Sequence, residues 1–175
     1  METERLIMRR WLDSDRAPFA ALNADPEAMR YFPSLLTREQ SDALVDRIER
    51  EFEVHGYGLW ALEERAGGRF IGFTGLAVQT FDAPFLPAVE IGWRLSRGAW
   101  GHGYATEAAR RAVTYAFEEV GLDALISMTA VGNTRSRAVM ERLGMTRDPA
   151  EDFNHPRVPR DSPLLRHVLY RLRRP

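Results

Sequence analysis

Between a strand-like run and a strongly periodic helix lies Ser96-Arg97-Gly98-Ala99-Trp100-Gly101-His102-Gly103-Tyr104-Ala105-Thr106, with small residues at 101, 103 and 105. This spacing lets several backbone N–H groups converge where a helix begins. The unpaired donors and positive dipole end of a helix N-terminus bind phosphate without a lysine. An ordinary glycine-rich turn is the competing reading of the glycines alone. A dinucleotide fingerprint fits poorly: it needs Gly at 106, where Thr106 stands, and an acidic residue ending a following strand. All 24 basic residues are arginine, which removes Schiff-base chemistry and a P-loop lysine. With no cysteine, a thiol nucleophile, a thiolate zinc site and an iron–sulfur cluster are excluded too. The four histidines show no ligand spacing, so no metal is expected.

The elements that must position this loop are legible in the patterning. Arg5 to Trp11 reads as a short strand. Asp13-Ser14-Asp15 supplies an N-cap for a helix through about Asn23. Thr37 and Gln40 have capping-box spacing ahead of a helix that carries Leu44, Val45, Ile48 and Phe52 and ends near Gly56. Strands over 59–62 and 69–76 flank the hairpin signal Gly67-Gly68, and a fourth strand covers 89–95. The long helix after it repeats apolar residues from Ala105 to Phe117 until Gly121 stops it. Residues 124–130 read as a fifth strand, 136–143 as a helix ended by Gly144, and 166–173 as a final strand. The four prolines within 148–163 mark a loop. The order gives a mixed α/β sheet in which the strands at 89–95 and 124–130 are parallel neighbours.

The chain has 175 residues, 45% hydrophobic and 28% charged, which fits one domain (1–175) with a substantial core and excludes disorder. No apolar run approaches the ~20 residues of a membrane span. The opening METERLIMRRW lacks the uncharged core of a signal peptide, so a soluble cytoplasmic protein is expected. The net charge of −1 hides an asymmetry: residues 1–93 carry 10 arginines against 16 acids, residues 94–175 carry 14 against 9. The arginines are dispersed and no nucleic-acid motif accompanies them, so a phosphorylated small molecule is the expected polyanion, with no nucleic acid and no membrane as partner.

The stretch Glu90 to Met145 resembles the acetyl-CoA site of the GCN5-related N-acetyltransferases (GNAT), particularly the ribosomal-protein N-terminal acetyltransferase-like branch. The resemblance rests on Trp100-Gly101-His102-Gly103-Tyr104-Ala105, with Trp in place of the usual first Gln or Arg. It rests equally on Asn133-Thr134-Arg135-Ser136 followed by a helix ending in Leu143-Gly144-Met145. It implies the family fold, a central mixed, mostly antiparallel sheet with splayed fourth and fifth strands, flanked by helices. It also implies acetyl-CoA as cosubstrate. Pantetheine would pair with the main chain of Trp93, Arg94 and Leu95, and the pyrophosphate would rest on the amides of Gly101, His102, Gly103, Tyr104, Ala105 and Thr106. Asn133 would hydrogen-bond the cofactor arm, with Arg137 reaching the same molecule.

Acetyl transfer to an amine needs a neutral nucleophile, a polarised thioester and a protonated leaving thiolate. Glu90, in an otherwise apolar strand beside the implied cofactor gap, is the expected general base, acting directly or through water. Ser136 is either the acid for the thiolate or a helix cap. Phe32, Trp60, Phe73 and His155 are candidates for the acceptor pocket, although most such aromatics are core. The implied activity is acetyl transfer to a primary amine, a peptide N-terminus or a small aminated molecule, by direct attack in a ternary complex. A non-catalytic acyl-CoA-binding sensor is the alternative, and a homodimer is compatible with the sequence.

Overall fold

A computed structural model describes residues 1–175. Its strands are β1 (Leu6–Arg9), β2 (Leu59–Glu64), β3 (Arg69–Val78), β4 (Val89–Leu95), β5 (Ala124–Ala130), β6 (Thr146–Arg147), β7 (Phe153–Asn154) and β8 (Arg166–Arg173). They form one sheet in the order β1-β2-β3-β4-β5-β8-β6, with β7 on β8 beside this path. Only β4 and β5 run parallel. β3 and β4 share seven register pairs, and so do β5 and β8, whereas β4 and β5 share one, Glu90 with Ile126. Past Glu90 the two strands separate, so the sheet carries a gap at its centre, as expected of splayed fourth and fifth strands.

Four helices flank the sheet: α1 (Arg16–Asn23), α2 (Arg38–His55), α3 (Tyr104–Thr114) and α4 (Thr134–Arg142). The capping box of α2 is present: Thr37 Oγ1 accepts from the Gln40 amide at 3.2 Å, and Gln40 Oε1 accepts from the Thr37 amide at 2.9 Å. At α1 the expected cap is absent. Asp15, almost fully buried, instead receives both Nη atoms of Arg9 at 2.6 and 2.9 Å, and a 3-10 turn over Asp13–Asp15 leads into the helix. A half-buried arginine demands a carboxylate more strongly than one exposed helix amide does.

Helix α3 meets β3 and β4 with a face of alanines, and Ala108, Ala109 and Ala112 are fully buried. The expected helix through Phe117 continues past Thr114 as a π-helical turn, Tyr115–Glu119. The wider turn keeps both Ala116 and Phe117 buried. The N-terminus of α3 is braced from β1's side. Arg5 Nε donates to Glu107 Oε2 at 2.7 Å, Arg5 Nη1 donates to the His102 carbonyl at 2.9 Å, and Thr3 Oγ1 donates to Glu107 Oε1 at 2.6 Å. The loop ahead of α3 is thereby tied to the chain's first strand.

Candidate functional site

A continuous cleft of about 2020 Å³ runs from the start of α3, through the β4–β5 gap, to the segment joining α1 and α2. This exceeds the ~300–1,000 Å³ of a pocket for one small molecule, so it has room for two substrates.

At one end lies the glycine-rich loop. Gly101 and Gly103 both adopt φ of +80°, a conformation that side chains with a Cβ rarely take. The six successive amides from Gly101 to Thr106 donate to no acceptor in the chain. Arg5, Arg110, Arg135 and Arg142 are among the arginines that line the cleft here, Arg5 being paired with Glu107. Six free donors, a helix dipole and several arginines fit a pyrophosphate. Trp100 braces the loop rather than reaching into it. Its indole Nε1 donates to the Leu95 carbonyl at 2.8 Å, and Arg135 stacks over its ring at 4.5 Å. Of the expected cofactor residues, His102 offers only its amide and Arg137 is placed elsewhere. The His102 side chain is exposed, stacked on Tyr104 and outside the cleft lining. Arg137 turns away to the Val131 carbonyl and the Tyr170 hydroxyl, whereas Arg135, two residues earlier, faces the cleft. Helical geometry points residues two apart to different sides.

In the gap, no β5 residue pairs with Trp93, Arg94 or Leu95. Ile91 and Leu95 are buried in the core, and strand alternation turns Glu90, Gly92 and Arg94 to the other face. Burial pushes the Glu90 carboxyl up to about 7, and the Met128 backbone N–H only partly opposes this. Gln79 Nε2 donates to Glu90 Oε2 at 2.6 Å. A carboxyl that gains and loses its proton near neutrality, in a cleft, suits general base work.

Ser136 lies on the other lip. The helix cap is Asn133, whose side chain accepts from the Ser136 amide at 3.3 Å. Ser136 is therefore the third residue of the helix, and the cap reading of its hydroxyl is overturned. Asn133 Nδ2 donates to Thr129 Oγ1 at 2.9 Å and to Ser136 Oγ at 3.1 Å. The Ser136 hydroxyl hydrogen has no acceptor in the chain. Asn133 thus organises the lip and keeps one Oδ1 lone pair for an added donor.

The far end holds most of the expected acceptor residues. Phe32, Phe73 and His155 line the cleft. Trp60 does not: it is 7% exposed and packs edge-on against Phe52 and Tyr115 in the core. Alternation along β2 does not by itself tell which of its faces meets the helices. His155 faces His167 at a ring distance of 4.8 Å. Burial pushes His155 down to about 4 and lowers His167 as well, so both stay neutral at pH 7. Sequence reasoning missed His167, Gln79, Thr129 and the side chain of Arg94, all on the cleft wall. Their types carry no local signal, because only the sheet order gathers them.

A parallel β4–β5 pair that opens onto a helix N-terminus with free amides, beside a carboxyl poised near neutrality, suits a transferase that takes a phosphate-bearing cosubstrate. The family model described as "Acetyltransferase (GNAT) domain" matches residues 5–146. The chain belongs to this acetyltransferase family. YkkB of Bacillus subtilis is 33% identical over 82% of this chain and 83% of its own length. FsC-acetyl coenzyme A-N(2)-transacetylase of Aspergillus fumigatus is 44% identical over 71% of this chain, and the match spans 55% of that relative. Among solved structures, an acetyltransferase from Agrobacterium tumefaciens superposes with a TM-score of 0.79 at 28% identity, covering 99% of this chain and 94% of its own. A GNAT-family acetyltransferase from Bacillus anthracis shares the fold, with a TM-score of 0.81 at 24% identity and coverage of 99% and 97%.

Proposed function

We propose that residues 1–175 act as one N-acetyltransferase domain that moves acetyl from acetyl-CoA to a primary amine by direct attack in a ternary complex. The observation that carries this reading is Glu90: a carboxyl held near pH 7 on the wall of a cleft large enough for both substrates. Similarity to a relative named as an acetyl coenzyme A transacetylase supports it.

The loop amides of Gly101 to Thr106 hold the pyrophosphate, and the unpaired edge of β4 at Trp93 to Leu95 holds the pantetheine arm. Glu90 takes the proton of the acceptor ammonium, through water where the distance requires it. The amine nitrogen then bonds to the acetyl carbon, its surplus second proton passes to solvent water, and the carbon–sulfur bond breaks. Ser136 Oγ gives its unengaged hydrogen to the departing thiolate and regains one from solvent. Neutral His155 and His167 wall the acceptor side without repelling an arriving ammonium. The reaction so written needs no metal, and a soluble cytoplasmic setting supplies both substrates. A sensor needs neither a neutral-range carboxyl nor a hydroxyl with a free hydrogen, so the catalytic reading is favoured.

Initial-rate kinetics tests the ternary complex. Varying acetyl-CoA at several amine concentrations should give intersecting double-reciprocal lines. Parallel lines, together with an acetylated protein hydroxyl found by mass spectrometry, would replace direct attack by a covalent route.

A further inference from the structure

Arg94 is a largely buried cleft residue whose charge the protein leaves unanswered. Its guanidinium carbon lies over two rings, 4.0 Å from the Phe32 centroid and 5.4 Å from that of Phe73. Nη1 donates to Asn23 Oδ1 at 2.5 Å. Asn23, itself fully buried, spends its amide on Ser41 Oγ at 2.9 Å, which fixes its oxygen toward the arginine. No carboxylate lies within ion-pair distance of Arg94, and Nε is buried with no partner at all. Nη2 also donates to nothing. Desolvation pulls the guanidinium down to about 10, with no acid nearby to oppose it. On the same wall Glu27 lies 3.7 Å from Arg30 and Glu51 3.2 Å from the His55 ring, and neither carboxylate reaches Arg94.

A buried, neutral-bonded arginine on the wall of a substrate cleft is costly unless a ligand supplies the missing anion. The planar guanidinium, packed against two aromatic rings with Nε unpartnered, is shaped for two oxygens of one anionic group. Arg94 shares its strand face with Glu90, four residues or ~13 Å along the strand, and Gly92 between them offers no side chain. A Cβ placed at Gly92 would meet nothing within 4 Å, so the floor between base and arginine is open.

Resting on the acetyltransferase reading, we propose that the acceptor carries an anionic group, a carboxylate or a phosphate, on the side away from its reacting amine, and that Arg94 seats it. The protein is thus selective for anionic amines over neutral or polycationic ones. A carboxylate and a phosphate share the bidentate geometry, and the assay separates them.

The test compares amines that differ only in charge at the far end: γ-aminobutyrate against its amide, ε-aminocaproate against its amide, and O-phosphoethanolamine against ethanolamine, with spermidine as the polycation. Thiol release from acetyl-CoA is read for wild type, Arg94→Lys and Arg94→Met, with melting temperatures to verify folding. Wild type should favour at least one anionic member over its neutral twin by about tenfold to a hundredfold in kcat/KM, as expected for a charge-assisted pair. Which member wins separates carboxylate from phosphate. Arg94→Met should bring that ratio to about one, and Arg94→Lys should keep part of it. A wild-type ratio near one, or a ratio that survives Arg94→Met, overturns the proposal. Thermal shift with the same compounds in the presence of CoA gives an independent reading. Absence of turnover with every amine would count against the enzyme reading. A shift by the anionic member that is lost in Arg94→Met would still establish the seat, and equal shifts by both twins would refute it.

Discussion

Glu90 and Ser136 make separable claims at the residue scale. Glu90 rises from an ordinary 4.5 to about 7 because its ionised form is desolvated. A carboxyl raised on folding stabilises the fold fully below its unfolded value and loses that contribution as pH climbs through the folded one. Wild type should therefore weaken relative to Glu90→Gln by up to ~3 kcal/mol between pH 4.5 and pH 8. Denaturant melts at the two pH values read this directly, and a gap that is the same at both would remove the buried carboxyl. Asn133 and Ser136 divide along another line. Asn133→Ala removes the cap and should cost ~1 kcal/mol of stability. Ser136→Ala should leave the melting temperature nearly unchanged and lower turnover. A Ser136→Ala protein that melts early but turns over normally would return the hydroxyl to a structural role.

At the scale of elements, the proposed function assigns the cosubstrate to backbone groups of the loop and β4. Gly103 sits at φ +80°, so Gly103→Val strains the turn whose amides are free, and CoA affinity should fall far more than in Arg110→Ala. Calorimetric titration with CoA measures both, and equal small effects would dissociate the loop from the phosphates. Gly92→Leu should fold, because the space above it is open, yet raise the acceptor KM far more than that of acetyl-CoA. These elements were legible because their signals are local: β4, β5 and β8 stand at 89–95, 124–130 and 166–173 as their patterns indicate, and Thr37 and Gln40 form the box their spacing implies. The two-residue strands β6 and β7 were not, since only pairing with β8 makes them strands. Arg94, Gln79 and His167 escaped for the same reason. Nothing local distinguishes a buried, unpaired arginine from an exposed one. The pattern of residue types puts Ser136 at the helix start, but the chain turns three residues sooner at Asn133.

For the whole molecule, the division of charge along the chain gains a spatial meaning. The arginine-rich half supplies Arg110, Arg135 and Arg142 to the cleft lining, while Glu90, the base of the proposed reaction, comes from the acidic half. CoA binding should accordingly weaken as salt rises, since exposed charges are screened within ~10 Å at 0.1 M. The central claim is that this cleft performs amine-dependent transfer with Glu90 as the base. The most direct measurement is the pH dependence of amine-dependent CoA release by wild type and Glu90→Gln, with the acetylated amine identified by mass. Wild type should show a rising limb with an apparent pKa near the folded value of about 7. Glu90→Gln should lose that limb, run slower at pH 7, and recover toward wild type at high pH, where the amine sheds its proton unaided. A Glu90→Gln protein impaired equally at pH 7 and at high pH, or thiol release that no amine accelerates, would contradict the account.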